Sequence, residues 1–367
     1  MRCTRIFVAV LLFSGHAFAQ PDIQFQGNFK QTIKPTSSQH MHTHALTQNR
    51  QTPQSITLLR VELSDHAKET LAERFKKIPL KRNTLLLTTP KSAELPSQVQ
   101  LGMNHVPVLE QGQHGSCAMF ANTAAVDAAL NKGDYISQLC QLELGQYLEQ
   151  FSYAPSGWNG SIGPIVLNQI QAFGVISKTT QKEQGCGGLT DYPAHDKIPE
   201  TNISLADYHQ LSEPLSDDVF AWSPLLDFYQ VFLDNVDSEE TLLSVKHALN
   251  NRDRLTMGVL LFGPQDGVAG AVAQYHAQND TWVLAPKMLE MLFSWSVFGG
   301  HAMIITGYDD NAIAIDNDEN EHRGLLTLRN SWGENIGDHG DFYMSYDYFK
   351  TLTVEVQRIR SLNAALA

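Results

Sequence analysis

Apolar positions along the chain change their spacing more than once. Over residues 56–63 they crowd into one short run of strand character. Ser64 or Asp65 then caps a helix that reaches about Lys77, and Pro79 stops it. Residues 85–89 read as a second strand, so 56–89 form a small strand–helix–strand unit. A unit of this size buries too little to stand alone and is expected to lean on the body. Pro90 and Pro96 bracket a boundary behind it. Upstream, residues 20–55 are rich in Gln, Thr, Ser and His, show no clear period and are expected to be mobile. His40, His42 and His44 alternate there, but no fourth ligand accompanies them, and the stretch reads as a polar tail.

Past the boundary the helical period dominates. A tight loop over 112–115 opens onto a helix from Cys117 to about Asn131, with Gly133 at its C-terminal end. Helices follow over 142–151 and 164–173, the latter after a turn-rich stretch at 156–160. Residues 185–220 mix Gly, Pro, Asp and Ser and read as an irregular surface insertion. Asp237 and Glu240 make a capping-box start for a helix to about Asn250. From there the chain turns to strands, over 255–262, 301–308, 312–316, 325–330 and 341–345. Helices first and strands later predict an α+β fold with segregated lobes. The acidic stretch 316–321 lacks the turn glycine of a calcium loop and reads as a solvated hairpin loop.

Composition narrows the class. The chain has 367 residues, 43% apolar and 18% charged, which is a globular balance with room for one large enzyme domain and appendages. The net charge of −13 argues against a nucleic-acid partner. That charge is unevenly spread. Residues 20–94 hold 11 Lys and Arg against 6 Asp and Glu, while residues 95–367 hold 13 against 33. A basic segment thus precedes an acidic body. Opposite fields favour the first resting on the second, and a solvated tail beside an acidic domain accounts for the same counts.

Residues 1–19 have the form of an export signal. Arg2 and Arg5 lead, an apolar stretch over 6–13 follows, and Ala17, Phe18 and Ala19 supply the small-residue cleavage pattern. Cleavage after Ala19 and a secreted or periplasmic address are expected. No later apolar run reaches the ~18 residues that span a bilayer, so no integral membrane segment is expected. Of four cysteines, Cys3 leaves with the signal, and Cys117, Cys140 and Cys186 form an odd set with one free thiol. Cys140 and Cys186 are the candidate bridge, two buried thiols being the alternative.

Cys117 carries the chemistry. It opens a helix directly after a Gly-rich loop, and the positive end of that helix favours thiolate, the nucleophilic form. Free N–H groups there can receive an oxyanion, and the Gln111 side chain, six residues upstream, can add a second donor. A thiolate needs a base and the base an orienter. His301, at the mouth of an apolar strand, offers the first, and Asn330 the second. Were 301–308 and 325–330 one hairpin, with its connection centred near Asp316, these two residues would stand side by side.

Three blocks in this order, Gln111 with Gly115-Ser116-Cys117, His301-Ala302, and Asn330-Ser331-Trp332-Gly333, resemble the papain-like cysteine peptidases. The similarity extends in blocks over about 95–350, from Leu95-Pro96-Ser97 to Gly340-Asp341-Phe342-Tyr343. It implies a two-lobed fold, with a helical lobe bearing Cys117 and an antiparallel β lobe bearing His301 and Asn330. Peptide or protein substrates and hydrolysis through a Cys117 thioester are implied too. His301 would be base and then acid, Asn330 its orienter, Gln111 an oxyanion donor, and Trp332 a shield over the His–Asn bond. Gly160 and Gly300 would border the substrate. Residues 95–367 would be the peptidase domain and 20–94 a propeptide or accessory segment resting on it. No metal and no organic cofactor are implied.

The departures are specific. His114 stands where the family commonly has a cysteine, and Ala118 where an aromatic usually follows the nucleophile. About 50 extra residues separate Cys117 from His301 relative to the usual ~130–150, expected in 190–236 and 263–298. Segment 20–94 lacks the helix signature of the commonest propeptides. Two rival readings share the scaffold: acyl transfer or deamidation through the same thioester, and a catalytically silent binding protein.

Overall fold

The computed structural model describes residues 21–33, 53–78, 95–215, 219–233, 236–294 and 297–362. The N-terminal part gives β1 (Ile23–Ile33), β2 (Gln54–Leu63), α1 (Asp65–Lys77) and β3 (Gln98–Gln100). Next come α2 (Cys117–Ala129), α3 (Gln138–Gln150), α4 (Gly163–Phe173), α5 (Lys178–Gln184) and α6 (Leu205–Leu211). The remainder holds β4 (Phe220–Leu226), α7 (Ser238–Asn250), β5 (Arg254–Leu261), β6 (Thr281–Trp282), α8 (Lys287–Met291) and β7 (Phe298–Ile315). It ends with β8 (Glu321–Arg329), β9 (Asp341–Ser345), α9 (Tyr346–Leu352) and β10 (Thr353–Ser361).

The α+β reading holds, with helices gathered in the first half and strands in the second. Among the described residues the strands form one ten-stranded sheet, ordered β4-β10-β5-β7-β8-β9-β6, with β1, β2 and β3 attached beside that path. Its centre is β7, whose first half is buried at every position because β5 and helices cover it. One apolar core lies on the sheet around Val259, Phe298, Leu328 and Phe342. A second surrounds α2 and takes in Ala302, Ile304 and Ile359 from the sheet. Helix α2 is buried nearly all round, as a helix lodged between two layers must be, and its alanines let β7 come close.

Three expectations change. Residues 23–33, read as part of a mobile tail, form β1, which pairs antiparallel with β2. Apolar Ile23, Phe25, Phe29 and Ile33 carry a weak period of two there, masked by the polar residues between and broken by a bulge between Phe25 and Asn28. The two short strands 301–308 and 312–316 are one strand, β7, with its own irregularity between Asp309 and Ile313. The hairpin turns about Asp318, with Ile315 opposite Glu321, and despite the offsets along β7 Ile304 pairs with Arg329 and Ile305 with Leu328, so His301 and Asn330 are not directly opposite. Within the insertion over 185–220, α6 is ordered helix. The strand expected over 85–89, the triple-histidine tract and the export signal lie outside the described residues.

The β1–β2 ribbon extends the same edge of β7 that β8 uses. Leu59 pairs with Gly300 and Val61 with Phe298, while β8 takes over from Ile304 onward. His301 falls in the gap between the two. Among the described residues no salt bridge joins 21–78 to the body; backbone pairing, apolar burial and hydrogen bonds do.

Candidate active site

Cys117 is the first residue of α2 and is 1% exposed. β7 brings His301 into the same hollow, and the loop after β8 brings Asn330 to His301; both are buried. His301 Nε2 lies 2.8 Å from Asn330 Oδ1. The amide cannot be turned round, because Ser331 N–H donates to the same oxygen at 2.7 Å. An oxygen facing Nε2 requires Nε2 to carry the proton, which leaves the lone pair on Nδ1. His301 Nδ1 is buried with no hydrogen-bond partner, so the nitrogen able to accept a proton is the unoccupied one. The Trp332 ring stacks on His301 at 4.5 Å and 24° and closes that side against water.

Gln111 is fully buried beneath the nucleophile loop. Its Oε1 accepts from Ser331 Oγ at 2.7 Å, and its Nε2 donates to His114 O at 2.8 Å. An amide nitrogen has two hydrogens, so one donor remains. Ser331 thus ties the loop bearing Asn330 to the loop bearing Gln111, a link hidden in the sequence although it sits inside the Asn330-Ser331-Trp332 block.

Burial decides the protonation states. It pushes the Cys117 thiol up to about 11, against the pull of nearby N–H groups of Ala302, Ala118 and Cys117 itself. Burial also drives His301 down to about 4, with the Asn330 bond opposing it. The pair therefore rests as neutral thiol and neutral imidazole. The thiolate that the helix end favours on its own is outweighed while the cleft is covered.

The cover is the ribbon. Thr57 Oγ1 donates to Gln113 O at 2.5 Å, and Gln54 Nε2 donates to Trp332 O at 2.9 Å. Between these and Val61, Leu59 lies between the two candidate substrate glycines. A Cβ on Gly160, at φ +123°, would fall 2.4 Å from Leu59 Cδ2; one on Gly300 would fall 2.9 Å from Val61 Cγ2 and 3.2 Å from Leu59 Cβ. Leu59, Val61 and Phe25 line a hollow together with Cys117, His301 and Glu355. Glu355 on β10 is buried; Oε1 accepts from Gly163 N–H at 2.9 Å and Oε2 has no partner. Burial raises this carboxyl to about 7. An acid inside the apolar stretch Val354-Glu355-Val356 was the sequence signal for it.

Cys140 and Cys186 form a disulfide with Cα atoms 5.2 Å apart, and Cys117 is free. Asp316 closes on its own turn, accepting from Asp318 and Asn320 N–H at 2.9 Å each, which accounts for the acidic loop without an ion.

Residues 286–361 match the family model described as the Peptidase C1-like family. No curated protein matches the chain. Among solved structures it is similar to xylellain, a cysteine protease from Xylella fastidiosa, at 20% identity and TM-score 0.48, covering 75% of this chain and 90% of that one. It is also similar to digestive procathepsin L 3 of the Tenebrio molitor larval midgut, at 16% identity and TM-score 0.44, covering 80% and 78%. The ragweed pollen cysteine protease Amb a 11 in its proform gives 14% identity and TM-score 0.42, covering 74% and 68%. The matched segment contains both His301 and Asn330, and the fold carries them to a free cysteine at a helix start. Residues 286–361 thus match the Peptidase C1-like family model and hold both His301 and Asn330.

Proposed function

We propose that the chain is an exported peptidase made as a latent precursor, with Cys117 as nucleophile, His301 as base and acid, and Asn330 as orienter. In the reaction His301 Nδ1 takes the Cys117 proton and the sulfur attacks the scissile carbonyl carbon. The carbonyl oxygen, now negative, receives hydrogen bonds from Gln111 Nε2 and the Cys117 N–H. As the tetrahedral species collapses, the C–N bond breaks and His301 returns its proton to the leaving amine. A water, deprotonated by His301, then attacks the thioester, and the acid and the thiol are regenerated. The observation that carries this reading is the unpartnered Nδ1 of His301, the one ring nitrogen left to act as base once Nε2 is committed to Asn330.

Latency is supported by the position of Leu59 between Gly160 and Gly300 and by the neutral resting pair beneath it. Segment 20–94 then acts as the chain's own internal partner, removed or displaced before substrate enters. Export is supported by residues 1–19, with cleavage after Ala19.

The test uses a thiol-directed epoxide and intact mass on the wild type and Cys117→Ala, followed by peptide-library cleavage. Slow labelling of the wild type alone, accelerated when the N-terminal segment is cut, is expected. Labelling without any peptide cleavage would sink the peptidase reading.

A further inference from the structure

The loop bearing Gln111 is gripped from one side by a single stretch of the long insertion, residues 192–196. Gln113 N–H donates to Ala194 O at 2.8 Å, and His114 Nε2 meets Pro193 O at 2.7 Å. Gly112, at φ +61°, runs so close that a Cβ there would fall 1.9 Å from Ala194 O. Tyr192 stacks on Trp158 at 5.7 Å and 5°, and Phe120 meets its ring at 5.0 Å. The phenol is therefore held in place. It donates to Gln111 O at 2.8 Å and stands 3.0 Å from Ser116 Oγ. With its one proton spent on Gln111, the phenol oxygen accepts from Ser116.

Ser116 is the N-cap of α2. A serine there ordinarily accepts from an N–H in the first turn. Ser64, Ser137, Ser177, Ser204 and Ser345 each do so at their own helices. Ser116 does not; no side-chain cap is formed at α2. Its hydroxyl is turned to Tyr192 instead. The positive end of α2 thus stays uncompensated by the serine oxygen, at the place where the Cys117 N–H is the second donor of the proposed oxyanion site.

We propose that Tyr192 is a positioning residue for the oxyanion site. It fixes the main chain of Gln111, and with it the donor amide, and it withholds Ser116 from capping the nucleophile helix. Its hydroxyl replaces, by a hydrogen-bond clamp, part of the bracing that His114 in place of a cysteine removes. This inference rests on the peptidase reading above.

The test compares Tyr192→Phe, Ser116→Ala and the double variant in the full chain, all carrying Leu59→Asp to loosen the ribbon. Four quantities are read: kcat and KM on a peptide amide, the affinity of a peptide aldehyde, and the rate of Cys117 alkylation by iodoacetamide. The aldehyde carbon bonds to the sulfur and places an oxygen in the oxyanion site; iodoacetamide displaces iodide and develops no such oxygen. Tyr192→Phe is expected to lower kcat and aldehyde affinity each about tenfold, with KM and alkylation within about twofold. Adding Ser116→Ala is expected to return about threefold of the loss, by removing the oxygen freed to cap the helix. Unchanged aldehyde affinity in Tyr192→Phe overturns the proposal. So does a parallel fall in alkylation, which marks general loosening, and so does a double variant no better than Tyr192→Phe. If the parent chain binds aldehyde yet cleaves no peptide, the peptidase reading fails while the aldehyde comparison still judges Tyr192.

Discussion

Leu59→Ala is the sharpest probe of latency. Leu59 is 4% exposed and its side chain is enclosed by the body at Gly160 and Gly300 rather than by the ribbon alone. Truncating a buried leucine costs about 2–5 kcal/mol. If half of the lower figure falls on the ribbon–body contact, the open population rises about fivefold; if 2.8 kcal/mol does, it rises about a hundredfold. Cys117 alkylation by a small reagent, followed by intact mass at fixed pH, reads that population directly, since the thiol is buried in the closed form. Phe25→Ala is the graded control. That ring is 47% exposed at the rim of the hollow and stacks on Phe228 at 6.0 Å, so the gain should be several-fold smaller. Melting temperature, measured alongside, separates opening from unfolding. An alkylation rate for Leu59→Ala within twofold of the wild type, with the body intact, would refute the claim that the ribbon gates the thiol.

Three further outcomes are expected. Asn330→Ala removes the hydrogen bond that Asn330 makes to the His301 ring and should lower kcat about 10²-fold or more while leaving the peptide KM nearly unchanged, in steady-state assays of the opened enzyme. Glu355 makes closure pH-dependent: its carboxyl is raised from 4.5 to about 7 in the closed form, by burial first, with Asp227 adding to it and the Gly163 N–H and Gln357 opposing it. A closed state that holds the proton more tightly is favoured fully below pH 4.5, and closure weakens as pH rises from 4.5 to about 7, then levels. The ratio of wild-type to Glu355→Gln alkylation rates, which cancels the titration of the thiol, should climb over that window; a flat ratio rejects the linkage. Replacing Cys140 and Cys186 by alanine opens a loop of 46 residues and should lower unfolding free energy by about 2–4 kcal/mol in urea titration.

The site was more legible than its surroundings, for physical reasons. Cys117, His301 and Asn330 were found because each sits where backbone geometry leaves a mark: a glycine loop before a helix, the mouth of an apolar strand, the end of a hairpin. Their meeting was foreseen by an argument that was only half right. The hairpin exists, but its turn centres on Asp318 rather than Asp316, and the two residues meet through side-chain reach rather than direct pairing. β1 was missed because a strand lying across a cleft buries little of its own surface, so its sequence stays polar. Tyr192 was missed because its partners are a main-chain carbonyl and a serine remote in sequence, and an insertion full of Gly and Pro carries no periodic signal.

The pairing of β2 with β7 has a consequence for the order in which the molecule is put together. Residues 54–63 and Cys117 emerge early in synthesis, whereas Phe298, Gly300 and His301 emerge together near the end. Until β7 exists, the cysteine has no histidine in its hollow and the ribbon has no edge to join. One strand supplies both: its backbone at 298–300 receives the cover, and the next residue is the histidine. On the proposed roles, the base and the edge that holds the cover therefore arrive within four residues of each other. A chain built in this order passes through no stage in which β7 offers the histidine without also offering the edge that the ribbon needs.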